Sequence, residues 1–186
     1  MTTALLDQKI TYGDYLAWEN NQAERHEFIG GRIFAMTGAT QKHNLVITNL
    51  GFALRRELQG TRCRVLLLDM KLRVAATEAV FYPDLMVCCS EIDRQARDAA
   101  TEPVLIAEIL SPSTAAFDRR EKFAAYESLP SLAECLIIDP ERRSLELFAR
   151  SREGSLQPVM TAPAGRLELG SIGVELSSAE LFADID

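Results

Sequence analysis

Apolar residues that recur every three or four positions predict two helices early in the chain. The segment 11–20 begins at Thr11, whose hydroxyl can cap a helix, and Asp14 follows as the acid of a capping box. The segment 41–58 has apolar residues at helical spacing, and Gly60 follows it as a stop signal. Between these helices, Gly30-Gly31 separates two strand-like runs in 25–38, which predicts a β-hairpin.

Later in the chain, runs rich in Val, Leu, Ile and Cys predict β-strands. The run 103–110 is apolar except for Glu108, which is typical of a strand covered on both faces. A helix is predicted in 114–129, opened by Ser113 or Thr114 and ended by Leu129-Pro130. The other predicted strands are 63–74, 81–89 and 134–140, followed by a terminal antiparallel meander in 142–150, 155–162 and 166–169 and a short helix in 177–184. The stretch 90–102 is a polar connection without a predicted form.

This order of elements predicts an α/β fold in which a mixed α+β sheet is flanked by helices. A chain of 186 residues with 47% hydrophobic residues suits one compact domain with a substantial core. We expect this single domain to span 1–186. Within it, we expect an N-terminal helix and hairpin in 11–37, a core in 41–149, and C-terminal strands with a short helix in 150–186.

No apolar run approaches the roughly 20 residues that cross a bilayer, and the N-terminus lacks the order of a signal peptide. We therefore expect a cytoplasmic protein without a membrane partner. The four cysteines, Cys63, Cys88, Cys89 and Cys135, show no C-x-x-C spacing and lie in apolar, strand-like runs. This setting predicts buried free thiols rather than a zinc site or a disulfide framework.

The formal charge of −7 argues against a protein that coats nucleic acid non-specifically, because that mode depends on phosphate neutralisation by Lys and Arg. A basic segment nevertheless runs from Arg55 to Arg73, with six basic residues against two acidic ones. A nuclease with a local basic face would use such residues to bind nucleic acid, and the candidates are Arg55, Arg56, Lys71 and Arg73. An ordinary solvated surface explains the same residues equally simply.

Two carboxylates interrupt apolar strands, where a buried charge is costly unless it is paired, protonated or bound to a metal. Asp84 follows Pro83 at the start of one run, and Glu108 lies within another. If these strands are neighbours, both carboxylates can converge on one point and supply the oxygen ligands that Mg²⁺ prefers. The alternative is that each carboxylate pairs with an Arg or Lys at a strand end.

Asp118, Lys122 and Tyr126 recur every four residues and therefore share one face of the predicted helix. An i,i+4 salt bridge would explain this spacing. A lysine directed over the sheet end would instead place a cation where it could stabilise a phosphate or hold an attacking water. Glu27 could be a further metal ligand or general base, or a surface or paired carboxylate. His43 opens the long helix as a polar surface residue or a catalytic participant.

Three segments form a recognisable pattern: 25–44, 82–87 with its Pro-Asp pair, and 104–140. The last contains E-I-L-S-P-S-T, then D-x-x-x-K-x-x-x-Y and an apolar strand that ends in Asp-Pro. On these residues, the chain from Tyr12 to about Phe148 resembles the Uma-type family of restriction-endonuclease-like proteins, which is similar to the PD-(D/E)XK nuclease superfamily.

The resemblance implies a restriction-endonuclease-like core in which the Pro-Asp aspartate and the later strand glutamate bind Mg²⁺, and these are Asp84 and Glu108. It also implies a contribution from Glu27. One departure is that Leu110 stands where the lysine of the (D/E)-X-K element should be, and Lys122 is the natural replacement.

A second segment, Asp69-Met70-Lys71, matches (D/E)-X-K literally, with both charges expected on one face of a strand. It precedes the Pro-Asp pair, whereas the superfamily order places the element after that pair. We therefore interpret it as an accessory or basic-face feature.

The function implied by the resemblance is hydrolysis of DNA phosphodiester bonds by a Mg²⁺-dependent endonuclease, with Mn²⁺ able to replace Mg²⁺. A homodimer is implied too, because two strands need two cuts. The alternative is a catalytically inactive module of the same fold that binds nucleic acid or a protein partner. Leu110 and the acidic charge favour this alternative, whereas the retained site residues favour the enzyme. A small-molecule hydrolase has no nucleophile motif to support it.

Overall fold

The computed structural model describes residues 9–36, 38–111, 118–162 and 165–185, with the backbone alone at 118–119 and 161–162. The helices are α1 (Tyr12–Glu19), α2 (Gln41–Glu57), α3 (Glu91–Gln95), α4 (Phe123–Glu127) and α5 (Ser178–Leu181). The strands are β1 (His26–Ile29), β2 (Arg32–Ala35), β3 (Arg64–Leu67), β4 (Lys71–Val74), β5 (Ala79–Phe81), β6 (Leu85–Cys88), β7 (Ala99–Ala100), β8 (Pro103–Ile109), β9 (Glu134–Asp139), β10 (Ser144–Arg150), β11 (Leu156–Ala162), β12 (Arg166–Leu169) and β13 (Val174–Ser177).

The first sheet joins the N-terminal hairpin to later strands in the order β2-β1-β5-β4-β7. The hairpin forms as predicted, with Gly30 and Gly31 at φ values of 53° and 89° in its turn. β1 then pairs antiparallel with β5 through Phe28 and Val80. This pairing holds Glu27, the residue before Phe28, where the hairpin joins the rest of the sheet.

The second sheet has the order β11-β10-β9-β8-β6-β3, with β8 and β9 parallel and the other pairs antiparallel. β8 lies in an inner position, which explains its nearly continuous apolar sequence. Its Leu105, Ala107 and Ile109 pack in the core cluster that includes α2, whereas Ile106 packs in the cluster that includes α4. Glu108 therefore lies on the α4 face, because side chains alternate along a strand.

Local signals account for the helix boundaries. Thr11 and Asp14 form the predicted capping box of α1. The hydroxyl of Thr40 caps α2 by accepting from the amide of His43. α4 continues a π-helical turn at Asp118–Lys122. The predicted helix start at Ser113 or Thr114 lies outside the described residues.

Two apolar runs, each predicted as one strand, are divided between the sheets. The run 63–74 becomes β3 in the second sheet and β4 in the first, and the chain turns at Leu68 and Asp69, where φ is 22° and 57°. The run 81–89 is divided in the same way between β5 and β6, at Pro83 and Asp84. The prediction was wrong because apolar content does not reveal to which sheet each half belongs. Asp84 consequently lies at a corner between two sheets.

Elements after residue 89 also depart from the predicted order. The connection 90–102 contains α3 and the short β7. β10 and β11 form the expected antiparallel pair, but β12 pairs with the unpredicted β13 in a separate hairpin rather than extending the meander. The closing helix α5 is confirmed.

The core of the described residues consists of three buried clusters. One lies between the second sheet, α2 and the C-terminal hairpin, one between the two sheets and α4, and one beneath α1. None of the helices in the described ranges combines the length and apolar character needed to span a membrane. The single-domain extent over 1–186 and its internal boundaries stay predictions.

The cysteine prediction is wrong for one pair and confirmed for the other. Cys63 and Cys89 form a disulfide, whereas Cys88 and Cys135 are free and buried. The antiparallel register pairs Arg64 with Cys88, so the next residues outward, Cys63 and Cys89, stand opposite each other. The spacing of the cysteines along the sequence does not predict this disulfide, because strand register alone brings the two residues together. Burial raises the pKa of both free thiols.

Candidate active site

Asp84 lies immediately before β6, beside the end of β8. Leu85 and Ala107 are partners in the antiparallel register, so Asp84 stands one step beyond this pair, next to Glu108. The amide of Ile109 donates to Oδ2 of Asp84 at 2.7 Å. The fold thus brings the two predicted metal-binding residues to one end of adjacent strands.

Glu108 is only 3% exposed, and polar groups from the following helix reach it. The hydroxyl of Tyr126 donates to Oε1 of Glu108 at 2.5 Å, and Nζ of Lys122 lies 3.4 Å from the same oxygen. Burial, followed by the charge of Glu108, raises the pKa of Tyr126 well above its ordinary value, so the hydroxyl keeps its proton. The side chain of Asp118, the third residue of the predicted face, lies outside the described residues.

Glu27 reaches the same lysine from the first sheet. Nζ of Lys122 lies 2.9 Å from Oε1 of Glu27, and the amide of Tyr82 donates to that oxygen at 3.4 Å. Lys122 itself is 6% exposed. A buried ammonium group therefore lies between a carboxylate of β1 and a carboxylate of β8.

The donor set at this strand end has the chemistry that a hard divalent cation requires. Among the described side chains, Asp84, Glu27 and Glu108 contribute three carboxylates, and Lys122 contributes an ammonium group. Among the described residues, no three His, Cys, Asp or Glu side chains are grouped so as to hold a metal by themselves. Asp84 and Glu108 could supply two oxygen ligands, and Mg²⁺ commonly keeps waters or substrate oxygens at the other positions.

His43 lies in the first turn of α2, where it contacts Asp84. Its Nε2 is 3.2 Å from Oδ1 of Asp84, and its side chain is 9% exposed. Its Nδ1 is buried and has no hydrogen-bond partner among the described residues. The structure therefore brings His43 to the predicted site rather than leaving it on the surface.

A buried network beneath the site was missed by sequence reasoning. Oε1 of Glu19 accepts from the hydroxyl of Tyr82 at 2.8 Å and from the amide of His26 at 3.1 Å, and Oε2 lies 3.1 Å from the His26 ring. The hydroxyl of Tyr15 donates to the His26 carbonyl. Burial raises the pKa of both tyrosines. The available signal was the spacing of four residues between Tyr15 and Glu19, which puts Glu19 on the buried face of α1.

The four predicted nucleic-acid-binding residues fall into two separate places. Arg55 and Arg56 lie near the C-terminal end of α2, where Arg56 pairs with Glu180 at 2.8 Å. Lys71 and Arg73 lie on β4 in the first sheet, where the Arg73 guanidinium lies 4.5 Å from the ring centroid of Tyr12. These four residues therefore do not form one continuous basic surface.

The literal (D/E)-X-K match does not form the expected strand surface. Asp69 lies in the left-handed corner before β4, not in the strand that carries Lys71, and pairs with Arg25 at 3.5 Å. Its side chain is 74% exposed. The expectation of two charges on one strand face is therefore wrong, because the chain changes sheets at this point.

Comparison with known proteins gives a family and a fold. Residues 12–179 match the model of the Uma2 family, described as “putative restriction endonuclease”. Two Synechocystis proteins are similar. The “uncharacterized protein slr1290” is 32% identical, over 91% of this chain and 89% of the relative. The “uncharacterized protein sll1609” is 39% identical, over 70% of this chain and 75% of the relative. A crystal structure described as a “putative nuclease” from Anabaena variabilis matches with a TM-score of 0.77 and 18% identity, over 94% of this chain and 98% of its own. The predicted mixed α/β class and the restriction-endonuclease-like core are thereby confirmed.

Proposed function

Since this chain belongs to the Uma2 family of restriction-endonuclease-like proteins, we propose that it is a metal-dependent endonuclease that hydrolyses DNA phosphodiester bonds. The proposed cofactor is Mg²⁺, with Mn²⁺ able to replace it. Family and fold make it nuclease-like, and the specific reaction is inferred from the arrangement of its own side chains.

The observation that carries the proposal is the buried lysine between two buried glutamates. Lys122, Glu27 and Glu108 are all at most 6% exposed, and the two contacts are 2.9 and 3.4 Å. Buried ion pairs contribute little net stability, because apolar residues of similar size often give a folded state that is as stable or more stable. The presence of this trio beside Asp84 is therefore better explained by chemistry than by folding.

We assign Asp84 and Glu108 as the metal ligands. Both are anchored: Asp84 by the Ile109 amide and His43, and Glu108 by Tyr126. Anchored carboxylates hold their oxygens in place when a cation arrives, which limits the reorganisation that binding requires. A divalent cation in this position supplies polarisation of the scissile phosphate and a bound water of lowered pKa.

Lys122 supplies the positive charge that the proposed reaction needs near the phosphate. It reaches Glu108 from the helix after β8, so it can replace the motif lysine whose place Leu110 takes. The ammonium group would stabilise negative charge that develops on phosphate oxygens. Glu27 holds Lys122 in position and can orient the attacking water, while Tyr126 orients Glu108. His43, which contacts Asp84, can contact a phosphate nearby.

The proposal is tested by metal binding and DNA nicking in the same set of variants. Calorimetry measures the affinity for Mg²⁺ and Mn²⁺, and a supercoiled plasmid reports nicking. We expect Asp84→Asn and Glu108→Gln to lose both properties. Glu168→Gln on β12 makes the same chemical change at an exposed position outside the site and should keep both. Loss of both properties by Glu168→Gln, or their retention by Asp84→Asn, would contradict the assignment.

The alternative of an inactive module is distinguished by the same measurements. An active site should be stabilised against unfolding by Mg²⁺ in the wild type and not in the Asp84→Asn variant. Absence of any metal-dependent stabilisation and nicking would favour the binding module. A homodimer is proposed on the ground that two strands need two cuts, and light scattering in solution tests it. The cytoplasmic location stays a prediction.

A further inference from the structure

A surface groove of about 720 Å³ lies at the C-terminal end of α2. Within the described ranges, no acidic residue lines it and five arginines do: Arg55, Arg56, Arg62, Arg64 and Arg94. This concentration of positive charge stands out in a chain whose formal charge is −7. Arg55 follows His43 by twelve residues on α2, so the groove lies about 18 Å along the helix from the candidate active site.

The arginines are only partly neutralised by neighbouring acids. Arg56 pairs with Glu57 and Glu180, and Arg94 pairs with Glu91. Within the described part of the chain, neither Arg55 nor Arg62 has an ion-pair partner. Both are exposed. The groove therefore presents uncompensated guanidinium groups, which bind phosphate through paired N–H donors.

An exposed aromatic ring lies in the same groove. Phe52 is 68% exposed, although it occupies a helix whose other large apolar side chains are mostly buried. The guanidinium of Arg56 lies 6.0 Å from the centre of its ring. Burial against a ligand would offset the cost of this exposure. A ligand that carries both negative charge and a flat apolar surface would therefore suit the groove.

We propose that this groove binds a single-stranded segment of nucleic acid, with the arginines on its phosphates and Phe52 stacked against a base. Phosphates and bases together supply the two complementary surfaces, and stacking on an aromatic side chain requires a base that is not inside a duplex. The groove is a second site, separate from the carboxylates, and its binding does not require the proposed hydrolysis.

The test measures fluorescence anisotropy of a labelled single-stranded oligodeoxynucleotide, and of the same sequence as a duplex, in EDTA. The variants are Arg55→Gln/Arg62→Gln and Phe52→Ala. Arg152→Gln is the control for the loss of one positive charge outside the groove, because Arg152 is exposed in the turn before β11, which forms the opposite edge of the second sheet from β3. Circular dichroism establishes that each variant is folded, which is expected because all the altered side chains are exposed.

The two groove variants should lose affinity for the single strand in different ways. For a single strand, log affinity falls as log salt rises, and each phosphate that the protein no longer neutralises reduces the magnitude of this negative slope by about 0.7. The double arginine variant should therefore show a slope smaller in magnitude by about 1.4. Phe52→Ala should weaken binding between about 5-fold and 100-fold, because one base is deprived of its stacking partner. Its salt slope should stay unchanged, and Phe52→Trp should restore the affinity. Arg152→Gln should behave as the wild type.

Three results would overturn the proposal. One is a double arginine variant that loses no more affinity than Arg152→Gln. Another is tighter binding of the duplex than of the single strand, with no effect of Phe52→Ala. The third is that the groove variants lose affinity for anionic lipid vesicles to the same extent, which would indicate a surface that binds anions through charge alone. The binding assay contains no divalent metal, so it is independent of the proposed hydrolysis. Single-strand binding without plasmid nicking would support the groove and contradict the nuclease proposal. Plasmid nicking without single-strand binding would support the nuclease proposal and contradict the groove.

Discussion

Replacement of Lys122 by methionine removes the ammonium group between Glu27 and Glu108 and keeps a side chain of similar length. Both glutamates are at most 5% exposed, so water screens little of their charge. Removal of one partner from a buried ion pair costs about 3–5 kcal/mol, because the remaining carboxylates stay buried and lose the positive charge of that partner. With a urea dependence of about 2 kcal/mol per molar, the unfolding midpoint should fall by about 1.5–2.5 M.

A second substitution shows whether charge causes this loss. Lys122→Met removes this ammonium group from beside the buried carboxylates of Glu27 and Glu108. Adding Glu108→Gln replaces the second of these carboxylates by a neutral amide. The double variant should therefore be more stable than Lys122→Met, with a coupling free energy of about 1–3 kcal/mol. Lys42→Met is the matched control: Lys42 is 36% exposed and pairs with Glu141 at 2.9 Å, and exposed pairs of this kind contribute less than about 1 kcal/mol.

Urea denaturation followed by circular dichroism measures the free energy of unfolding of five proteins: the wild type, Lys122→Met, Glu108→Gln, the double variant and Lys42→Met. The comparison holds when the slopes of free energy against urea concentration agree between them. The reasoning would be refuted if Lys122→Met lost no more stability than Lys42→Met. It would also be refuted if Glu108→Gln further destabilised the Lys122→Met protein, because the glutamate would then be stabilised by something other than the lysine.

Three further predictions concern two buried hydrogen-bonding side chains and the disulfide. Tyr126→Phe should lower the free energy of unfolding by about 1.5–3 kcal/mol, since it removes a hydrogen bond to buried Glu108, and unchanged urea midpoints would contradict this. Glu19→Gln should lower the melting temperature by several degrees, about 2–4 °C for each kcal/mol, because a neutral amide oxygen is a weaker acceptor than a carboxylate oxygen for the Tyr82 hydroxyl and the His26 amide. A melting temperature equal to that of the wild type would mean that the network is not required for stability. The Cys63–Cys89 disulfide closes a loop with a sequence separation of 26, and its reduction should lower the free energy of unfolding by about 3 kcal/mol. Dithiothreitol should therefore lower the urea midpoint of the wild type and leave that of Cys63→Ser unchanged.

Much of the candidate site could be predicted from local pattern and family resemblance. Asp84 and Glu108 stand out because each carries charge in an apolar run, and the four-residue spacing of Lys122 and Tyr126 puts them on one helical face. The structure brings these residues together as the proposal requires. Their catalytic and metal-binding roles stay proposals, because proximity alone does not establish turnover.

The sequence alone determined the features that depend on neighbours within a few residues. The capping box of α1, the Gly30-Gly31 hairpin turn and the doubly covered β8 follow from hydrogen bonds and periodicity that are local to each segment. Tertiary structure alone decided the features that depend on distant pairing. The change of sheet at Leu68-Asp69, the Cys63–Cys89 bond, the burial of Glu19 and the choice of Glu27 as a partner for Lys122 all arise from strand order and register. Local sequence constrains the backbone angles of a segment, whereas contacts between segments far apart are selected only when the whole core packs.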